Sequence, residues 1–454
     1  MDVETRSIEF VPLEERYGTP RRLFTIWFSS NVQVTALMVG TLGIAAGLSL
    51  FWTIVALFIG NAVGTIFMAA HSAQGPHLGI PQMIQSRAQF GVFGAAVPLL
   101  MVVVSAILFV AASGVLMRES IKAVLPVTDN EAIILVGVAT FIIGFVGYEL
   151  IHKVGAYMTV LSFVIFIASG ILVFMKPGIL GAFHANKSGF AVGAFNLVIA
   201  QAASWTLGYG PYVADYSRYL PANVRTKDTF WSTYLGCALG CQAVMSLGAV
   251  FAISLPSIVT GDPGTAIAQL FGPLAKPTLI IIVMGVVLFN VLCLYSAYMS
   301  SATIFSGFKK MTHIRRSTKF FAMAALMTAA TLVAIKTQYH FNDYFGDILN
   351  IQLYVIVPWS AINLVDYYLV RKGKYAIAEM YDARGRYGKF NMTTLAIYAL
   401  GIASTLPFMD LSFYHSYFAR SIGADVSWIP SLVVPGLLYY IVHSVQRTPV
   451  LNAE

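Results

Sequence analysis

The sequence predicts an all-α polytopic membrane protein with about 12 transmembrane helices, because long apolar runs recur along the whole chain. Hydrophobic residues make up 58% of the 454 residues, whereas charged residues make up only 11%. A soluble domain carries roughly 25% charged residues, so this little charge could not cover a water-soluble particle of that size. The same composition excludes a disordered chain, which requires low hydrophobicity and high charge.

Each predicted span is an apolar run bounded by charged residues, Gly or Pro, and a spanning helix needs about 20 such residues. The runs lie at about 23–47, 50–70, 93–117, 131–149, 154–175, 193–213, 231–256, 277–306, 318–336, 346–366, 393–409 and 426–445. We therefore predict one transmembrane domain at 23–445, between an N-terminal tail at 1–22 and a C-terminal tail at 446–454. The low-charge segment at 71–92 predicts a short amphipathic helix at the membrane interface, which would be either a simple connector or an element of an intracellular gate.

Lys and Arg residues predict the orientation, because positive charge is retained on the cytoplasmic side of a membrane. If the N-terminus is cytoplasmic and the spans alternate, 21 of the 28 Lys and Arg residues fall inside and seven fall outside. Both termini are therefore expected in the cytoplasm of a multi-pass protein of the plasma membrane. The net charge of +8 then reflects the Lys and Arg residues that set the membrane orientation, and it gives no support to nucleic-acid binding. Cys237, Cys241 and Cys293 lie in apolar runs and are interpreted as packing residues, so neither a metal site nor a cofactor is expected.

Two spans carry signals of a broken helix. The first contains the polar cluster Ser29-Ser30-Asn31 followed by Gln33, and the sixth contains the run from Ser204 to Pro211 with two glycines and a proline. Interrupted helices at equivalent positions of two five-span halves indicate an inverted repeat with a binding site near the midplane. The repeats would cover about 23–175 and 193–366, with two extra helices at about 393–445. Each break taken alone is also compatible with a packing kink.

Four strings of the sequence resemble the nucleobase:cation symporter-1 family, and they are closest to its purine–cytosine permease branch. The strings are SIEFVPLEERYGTPRRLFTIWFSSNVQV, GPHLGIPQMIQSRAQFG, GYELIHKVG and PYVADYSRYLP, and the resemblance extends from about residue 5 to residue 445. It implies a leucine-transporter-like fold, with spans 1–5 and 6–10 as inverted repeats. It also implies secondary active uptake of a flat nitrogen heterocycle together with a cation.

The resemblance places aromatic substrate contacts on spans 3 and 6. A flat, neutral nucleobase calls for aromatic faces against its ring and for amide or hydroxyl groups at its edge. The span-3 aromatic position falls at Phe109, with Ser113 four residues further on, and the span-6 aromatic is Trp205. Relatives often carry Trp and an amide at the two span-3 positions, so a particular substrate does not transfer. Core or lipid-facing packing is the alternative for both rings.

The edge of the substrate would be recognised by amides in the middle of other spans. Gln33 lies at the break in span 1, Asn290 lies in span 8, and Gln201 precedes Trp205 by one helical turn. Backbone groups freed near Gly208 could add further contacts. Helix–helix packing is the alternative for a mid-span amide such as Asn290.

Asp215 and Arg218 follow span 6 and resemble an acidic–basic signature of the family. We interpret them as an intracellular gate or anchoring pair, with a plain interfacial salt bridge as the alternative.

The resemblance also bears on the coupled cation. Sodium-coupled relatives use carbonyls of span 1, here at Ser29 and Val32, and hydroxyls of span 8, which align with Met284 and Gly285. Neither span-8 residue has a side-chain oxygen, so H⁺ is expected as the cation and Na⁺ is the alternative. No buried carboxylate stands out as the proton carrier. Glu149 is expected at the interface, and Asp343 and Asp347 are expected near the outer end of span 10.

The sequence leaves several alternatives open. Allantoin, hydantoins, uracil, pyridoxine or thiamine could replace cytosine or a purine on the same scaffold, and the oligomeric state is not fixed. A passive channel is disfavoured because no repeated filter element is present. A membrane-embedded enzyme is disfavoured because the sequence lacks HExxH, GxSxG and paired intramembrane carboxylates.

Overall fold

The computed structural model describes residues 8–146, 148–186, 189–259, 262–308 and 315–445. The α-helices of these residues are α1 (Arg21–Ser30), α2 (Val34–Ala45), α3 (Leu50–Ser72), α4 (Gly75–Leu78), α5 (Gln82–Phe90), α6 (Ala96–Leu116), α7 (Arg118–Lys122), α8 (Asp129–Val146), α9 (Tyr148–Phe174), α10 (Ile179–Ala185), α11 (Val192–Leu207), α12 (Gly210–Ser217), α13 (Thr226–Ser254), α14 (Pro263–Gln269), α15 (Ala275–Phe308), α16 (Arg316–Thr337), α17 (Phe341–Val365), α18 (Met392–Ala403), α19 (Tyr417–Ile422) and α20 (Trp428–Val445). A π-helical turn, Asp366–Val370, continues α17. Short 3₁₀ helices lie at Leu13–Glu15, Pro256–Ile258, Gly272–Leu274, Gln338–His340, Ile377–Tyr381 and Leu406–Phe408. Strands β1 (Asp410–Leu411) and β2 (Tyr414–His415) form one antiparallel hairpin.

The helices follow the predicted spans, and the all-α membrane-type fold is confirmed. Within the described ranges, six helices are each long and apolar enough to cross a membrane, and α1 with α2 forms a bent pair that would make a seventh span. Three shorter apolar helices lie at Val160–Phe174, Met392–Phe408 and Trp428–Ser444. Large apolar side chains such as Phe58, Val164 and Leu437 are exposed on the outside of the assembly, as expected of lipid-facing positions.

The helices form two groups with α17 between them. In the first group, α1 and α2 pack on α13, and α3 packs on α13, α11 and α12. In the second group, α15 and α16 pack on α6 and α8, while α9 packs on α15. Helix α17 contacts α11 of the first group, α6 of the second, and the C-terminal helices α18 and α20. A cavity between the groups is therefore walled by helices from both predicted halves of the chain.

Small residues allow the helices of the first group to approach closely. A Cβ placed on Gly60 of α3 would lie 2.4 Å from the carbonyl oxygen of Ile199 on α11. A Cβ on Gly248 of α13 would lie 2.0 Å from the carbonyl oxygen of Leu37 on α2. Such contacts are typical of membrane helices, which associate through tight packing since lipid supplies little hydrophobic drive.

The connector at 71–92 differs from its prediction. Helix α5 is buried at all nine of its positions, so it is not amphipathic. It packs under α12, α17 and α18 and beside the 3₁₀ helix at Ile377–Tyr381. The polar residues of the connector suggested a helix that faces water, whereas the structure buries them against other protein groups.

Candidate functional site

A cavity of about 490 Å³ lies between the two helix groups. Its walls come from α6, the junction of α11 and α12, α15 and α17. It is lined by Val102, Ser105, Ala106, Phe109, Trp205, Gly208, Tyr209, Pro211, Tyr212, Phe289, Cys293, Ser296, Gln352 and Ile356. An apolar and aromatic lining with a few hydroxyl and amide groups is typical of small-molecule sites.

Trp205 lies at the centre of the aromatic wall, near the end of α11, and is only 3% exposed. Its ring is nearly parallel to Phe289, with centroids 6.0 Å apart and 13° between the planes. Phe109 meets the same indole edge-to-face, at 5.9 Å and 75°. The two aromatic residues expected from the resemblance are therefore together in one cavity, although their role as substrate contacts remains a prediction.

Asn31 connects the breaks in spans 1 and 6. It caps α1 and is fully buried. Its Oδ1 accepts hydrogen bonds from Nε1 of Trp205 at 2.9 Å and from the hydroxyl of Tyr209 at 3.0 Å. Its Nδ2 donates to the carbonyl oxygen of Trp27 at 2.7 Å. Because both ends of the amide are bonded, Asn31 fixes the orientation of the indole in the cavity wall.

Ser113 and Asn290 bond to each other behind the cavity wall. The hydroxyl of Ser113 lies within hydrogen-bonding distance of Oδ1 of Asn290. Neither residue lines the large cavity, although Phe109 and Phe289 beside them do. The Nδ2 of Asn290 has no hydrogen-bond partner within the described ranges, which leaves a buried donor one residue from the aromatic wall. Direct contact of either residue with a substrate stays a prediction.

The break in span 6 is a tightened turn. Helix α11 ends at Leu207, and α12 begins at Gly210 with Pro211 in its first turn, where proline is tolerated. Between them, the N–H of Tyr209 reaches back only three residues, to Thr206, at 3.3 Å. By contrast, α1 and α2 are bent by 62° at their break. The backbone near Gly208, which was expected to offer freed groups to a substrate, therefore forms a turn that retains helical hydrogen bonds.

Gly208 allows the backbone of the span-6 turn to lie close to the side chain of Gln352 in the cavity wall. A Cβ at this position would lie 2.2 Å from Nε2 of Gln352 on α17. That amide nitrogen donates to the carbonyl oxygen of Ser204 at 2.8 Å, which satisfies a carbonyl beside the turn. The glycine therefore makes room for an amide of the cavity wall.

Gln33 opens onto a second, smaller cavity of about 220 Å³. This cavity lies between α2, α9 and α15 and is lined by Gln33, Val34, Ser162, Ile165, Phe166, Ile282 and Gly285. The Oε1 of Gln33 accepts from the N–H of Thr35 at 3.1 Å, and its Nε2 has no partner among the residues described. The structure thus separates Gln33 from Trp205 and Phe109, which line the larger cavity.

Gln201, Ser29 and Val32 also lie outside the lining of the large cavity. Gln201 is buried on α11 and faces α17, where its Nε2 would lie 3.0 Å from a Cβ on Gly346. The carbonyl oxygen of Ser29 accepts from the N–H of Val32 at 3.0 Å, so it is already bonded within the span-1 break. Their roles in substrate or cation binding remain predictions.

Asp215 and Arg218 hold together the end of the molecule that carries the connector. Oδ1 of Asp215 accepts from the N–H of Gln82 at 2.8 Å, so it caps α5. Arg218 is fully buried, and its Nη1 donates to the carbonyl oxygen of Glu9 at 3.1 Å. Its guanidinium also lies over the ring of Tyr219, 5.0 Å from the centroid. These contacts support an anchoring role, whereas gating stays a prediction.

Arg87 is a second buried cation at this end, on α5. Its Nη2 donates to the carbonyl oxygen of Thr303 and to the hydroxyl of Ser306, each at 2.8 Å. Burial lowers the pKa of Arg87 to about 10, which still leaves it charged at pH 7. The contacts tie α5 to the end of α15, so the connector bridges both helix groups.

The carboxylates considered as proton carriers lie away from the cavity or outside the described part. Asp347, on α17, accepts from the N–H of Ser412 at 3.1 Å and so anchors the β hairpin. The side chains of Glu149 and Asp343 are outside the described part of the chain.

Sequence reasoning missed several residues of the large cavity. Tyr209 and Tyr212 lie beside the glycines of the span-6 break, and Phe289 immediately precedes Asn290. Gln352 carried the same signal that selected Asn290, namely an amide in the middle of an apolar span. Asn31 was visible only as part of a polar cluster, because its two donors come from a distant segment.

Comparisons with known proteins show which family the sequence matches. A family described as permease for cytosine/purines, uracil, thiamine, allantoin matches residues 10–429. YxlA of Bacillus subtilis, a candidate purine-cytosine permease by name, is 40% identical over 97% of this chain and 96% of its own length. The purine-cytosine permease fcyB of Emericella nidulans is 22% identical over 94% of this chain and 86% of its own.

Solved structures show the fold. The inward-facing conformation of Mhp1 has a TM-score of 0.76 and 16% identity, and the match covers 99% of this chain and 97% of that one. Mhp1 in a closed conformation with bromovinylhydantoin bound, described as a nucleobase-cation-symport-1 family transporter, has a TM-score of 0.74 and 18% identity. That match covers 98% of this chain and 97% of the other.

Proposed function

The chain belongs to the family of permeases for cytosine/purines, uracil, thiamine and allantoin, and on this premise we propose that it imports a nucleobase by cation symport. The substrate class would be cytosine or a purine, which are in the names of the relatives YxlA and fcyB. Transport would proceed by alternating access of the cavity between the two helix groups.

The aromatic cavity at the breaks in spans 1 and 6 carries this proposal. Trp205, Phe109 and Phe289 offer flat apolar surfaces, and Gln352, Ser105 and Ser296 offer polar groups around them. This combination suits a flat neutral ring with donors and acceptors on its edge. Among the residues described, the cavity lining contains no Asp, Glu, Lys or Arg, which also fits an uncharged ligand.

We propose H⁺ as the coupled cation. Only two side chains that line the smaller cavity are polar, Gln33 and Ser162, and only oxygens would serve a hard cation. Gly285 gives no side-chain ligand there, and Ser162 fills the adjacent space, 3.2 Å from a Cβ placed on Gly285. This poor supply of oxygens favours a proton over Na⁺.

The orientation follows from the distribution of Lys and Arg residues. Both termini would be in the cytoplasm, and the protein would work in the plasma membrane. The proposed activity is transport without chemical change, so the substrate should be recovered intact after uptake.

A second heterocycle class is the main competitor. An allantoin permease of Bacillus subtilis and a hydantoin permease of Microbacterium maritypicum are 21% and 22% identical to this chain. Allantoin and hydantoins share a small ring with amide-like edges, so the same cavity could take them.

Uptake in a transport-deficient host tests the substrate class. Radiolabelled cytosine, adenine, hypoxanthine, uracil and allantoin would be supplied one at a time to cells expressing the protein. We expect accumulation of cytosine or a purine above the external concentration, recovered unchanged. Accumulation of allantoin alone would move the assignment to the second class, and equilibration without accumulation would indicate a channel. Loss of uptake in Na⁺-free buffer, with the proton gradient held, would refute H⁺ coupling.

A further inference from the structure

A buried histidine lies directly behind the break in span 6. His71 is in the last turn of α3 and is fully buried. Its ring stacks on the indole of Trp359 on α17, with centroids 4.7 Å apart and 16° between the planes. Its Nε2 lies 2.8 Å from the hydroxyl of Ser360, and its Nδ1 lies 3.3 Å from Nε2 of Gln82 on α5. The imidazole therefore joins α3, from the first helix group, to α17 and to the connector.

The surroundings of His71 can serve both protonation states. A neutral imidazole donates one hydrogen bond and accepts one, whereas an imidazolium needs two acceptors. Ser360 can accept from Nε2–H in either state. The Oε1 of Gln82 is buried and has no hydrogen-bond partner in the part of the chain that the structure describes. Rotation of that amide by half a turn would bring Oε1 to Nδ1–H, so a proton on His71 would leave no imidazole N–H unsatisfied. The rotation would break the hydrogen bond that Nε2 of Gln82 donates to Oε1 of Gln85 at 3.2 Å.

His71 is also separated from the substrate cavity by very little protein. A Cβ placed on Gly210 would lie 3.5 Å from Cδ2 of His71 and 3.7 Å from Cζ3 of Trp359. The adjacent Pro211 lines the large cavity. A change in the charge or packing of the imidazole would therefore alter the packing of the turn that carries Trp205 and Gly208.

The charged groups on the neighbouring elements bond elsewhere. On α12, the carboxylate of Asp215 caps α5, and Arg218 reaches Glu9. On α5, Arg87 reaches Thr303 and Ser306. In the turn that follows α17, Asp366 accepts from Arg371, with Nε and Oδ1 3.0 Å apart. Asp215 reaches the imidazole only indirectly, because it accepts from the backbone N–H of Gln82, whose side-chain Nε2 lies 3.3 Å from Nδ1 of His71.

We propose that His71 binds the co-transported proton, and that the proton is exchanged when α3 and α17 separate at the Trp359–Ser360 contact. This inference rests on the proposed proton symport and names the group that would carry the proton. The structure then shows the closed contact, with the imidazole sealed from water. If His71 binds a proton more tightly when the contact is open than when it is closed, protonation shifts the equilibrium toward the open contact. This shift is the basis of coupling.

Fluorescence of the purified protein tests the protonation of His71 without any substrate. The indole of Trp359 stacks on His71 in the closed contact, so its emission reports on the charge of the neighbouring ring and on separation from it. We expect emission to change as the pH is lowered from 8 to 5, because protonation of His71 favours the open contact, and this change to be absent in both His71→Gln and Trp359→Phe. His77→Gln is the matched control, since His77 is an exposed histidine on the adjacent α4. Equal pH dependence in the wild type and His71→Gln would overturn the proposal.

Accumulation in proteoliposomes tests the coupling. For one proton per substrate, a pH difference of one unit corresponds to about tenfold accumulation of cytosine. We expect the wild type and His77→Gln to reach that ratio and His71→Gln to fall to the ratio without a gradient. Ser360→Ala, which removes one acceptor of the imidazolium, should lower the ratio while leaving Trp359 in place.

The two assays separate the possible failures. Undiminished accumulation by His71→Gln would overturn the proposal even if the protein transports cytosine. If the wild type moves none of the bases but shows the His71-dependent change in emission, the substrate assignment fails while the protonation of His71 is supported. If the wild type accumulates cytosine with a sodium gradient and not with a pH gradient, the proton site is refuted.

Discussion

Replacement of Trp205 should weaken substrate binding more than any other single change in the cavity wall. The indole faces Phe109 and Phe289, and its N–H is bonded to Asn31. Stacking of a base on an aromatic side chain contributes about 1–3 kcal/mol, as measured by alanine substitution. Trp205→Ala should therefore raise the Kd for cytosine about 5- to 150-fold.

The same substitution also opens the core, so affinity must be measured per folded molecule. Truncation of a buried Trp to Ala costs about 3–5 kcal/mol of stability, which lowers the amount of protein and mimics a transport defect. Trp205→Phe avoids most of that loss, because it keeps an aromatic face and removes chiefly the hydrogen bond to Asn31. A lost hydrogen bond of this kind costs about 0.5–1.5 kcal/mol, so the Kd should rise no more than about tenfold.

The assay is radioligand binding to purified protein in detergent, normalised to the monodisperse fraction. Trp231→Ala is the matched control, because Trp231 is 51% exposed on α13. We expect the affinities to rank as wild type and Trp231→Ala, then Trp205→Phe, then Trp205→Ala. If folded Trp205→Ala bound cytosine as tightly as the wild type, the ring would not be a substrate platform and the reasoning would be refuted.

Three further substitutions test the site and its supports. Gly208→Ala should push away the amide of Gln352 and lower cytosine uptake by about tenfold, or 1.4 kcal/mol. Gly181→Ala is the control, because a Cβ at Gly181 meets open space, and it should leave the same uptake unchanged. Ser113→Ala should destabilise the protein by about 1–3 kcal/mol in thermal unfolding, because it takes a donor from the buried Asn290; an unchanged melting temperature would contradict this. Arg218→Lys should lower transport more than expression, since an ammonium cannot reproduce the guanidinium contacts to Glu9 and Tyr219. Equal loss of both would favour a purely structural pair.

The sequence predicted the helices well because membrane spans leave a strong signal. Apolar length and charge boundaries depend only on local composition, so the broken first span could be located from its polar cluster. The severity of each break was not predictable, since the 62° bend between α1 and α2 and the tight turn at Gly208 depend on packing. The burial of helix α5 was not predictable for the same reason, because its polar side chains contact distant segments.

The candidate site was predicted in part. The family resemblance identified Phe109 and Trp205, and the structure places both in one cavity. They could be identified because each is defined by its position within a span. The resemblance did not separate Gln33 from them, since Gln33 lines a second cavity formed by α2, α9 and α15. A single sequence does not show that the partners of Asn31 come from the sixth span.

A structure of the protein determined with cytosine bound would test the proposed site most directly. We expect a flat ligand in the cavity of about 490 Å³, with a face against Trp205 and an edge within hydrogen-bonding distance of a polar group of the lining. Cytosine bound only in the smaller cavity beside Gln33, or outside the contact between the two helix groups, would refute the proposed substrate site.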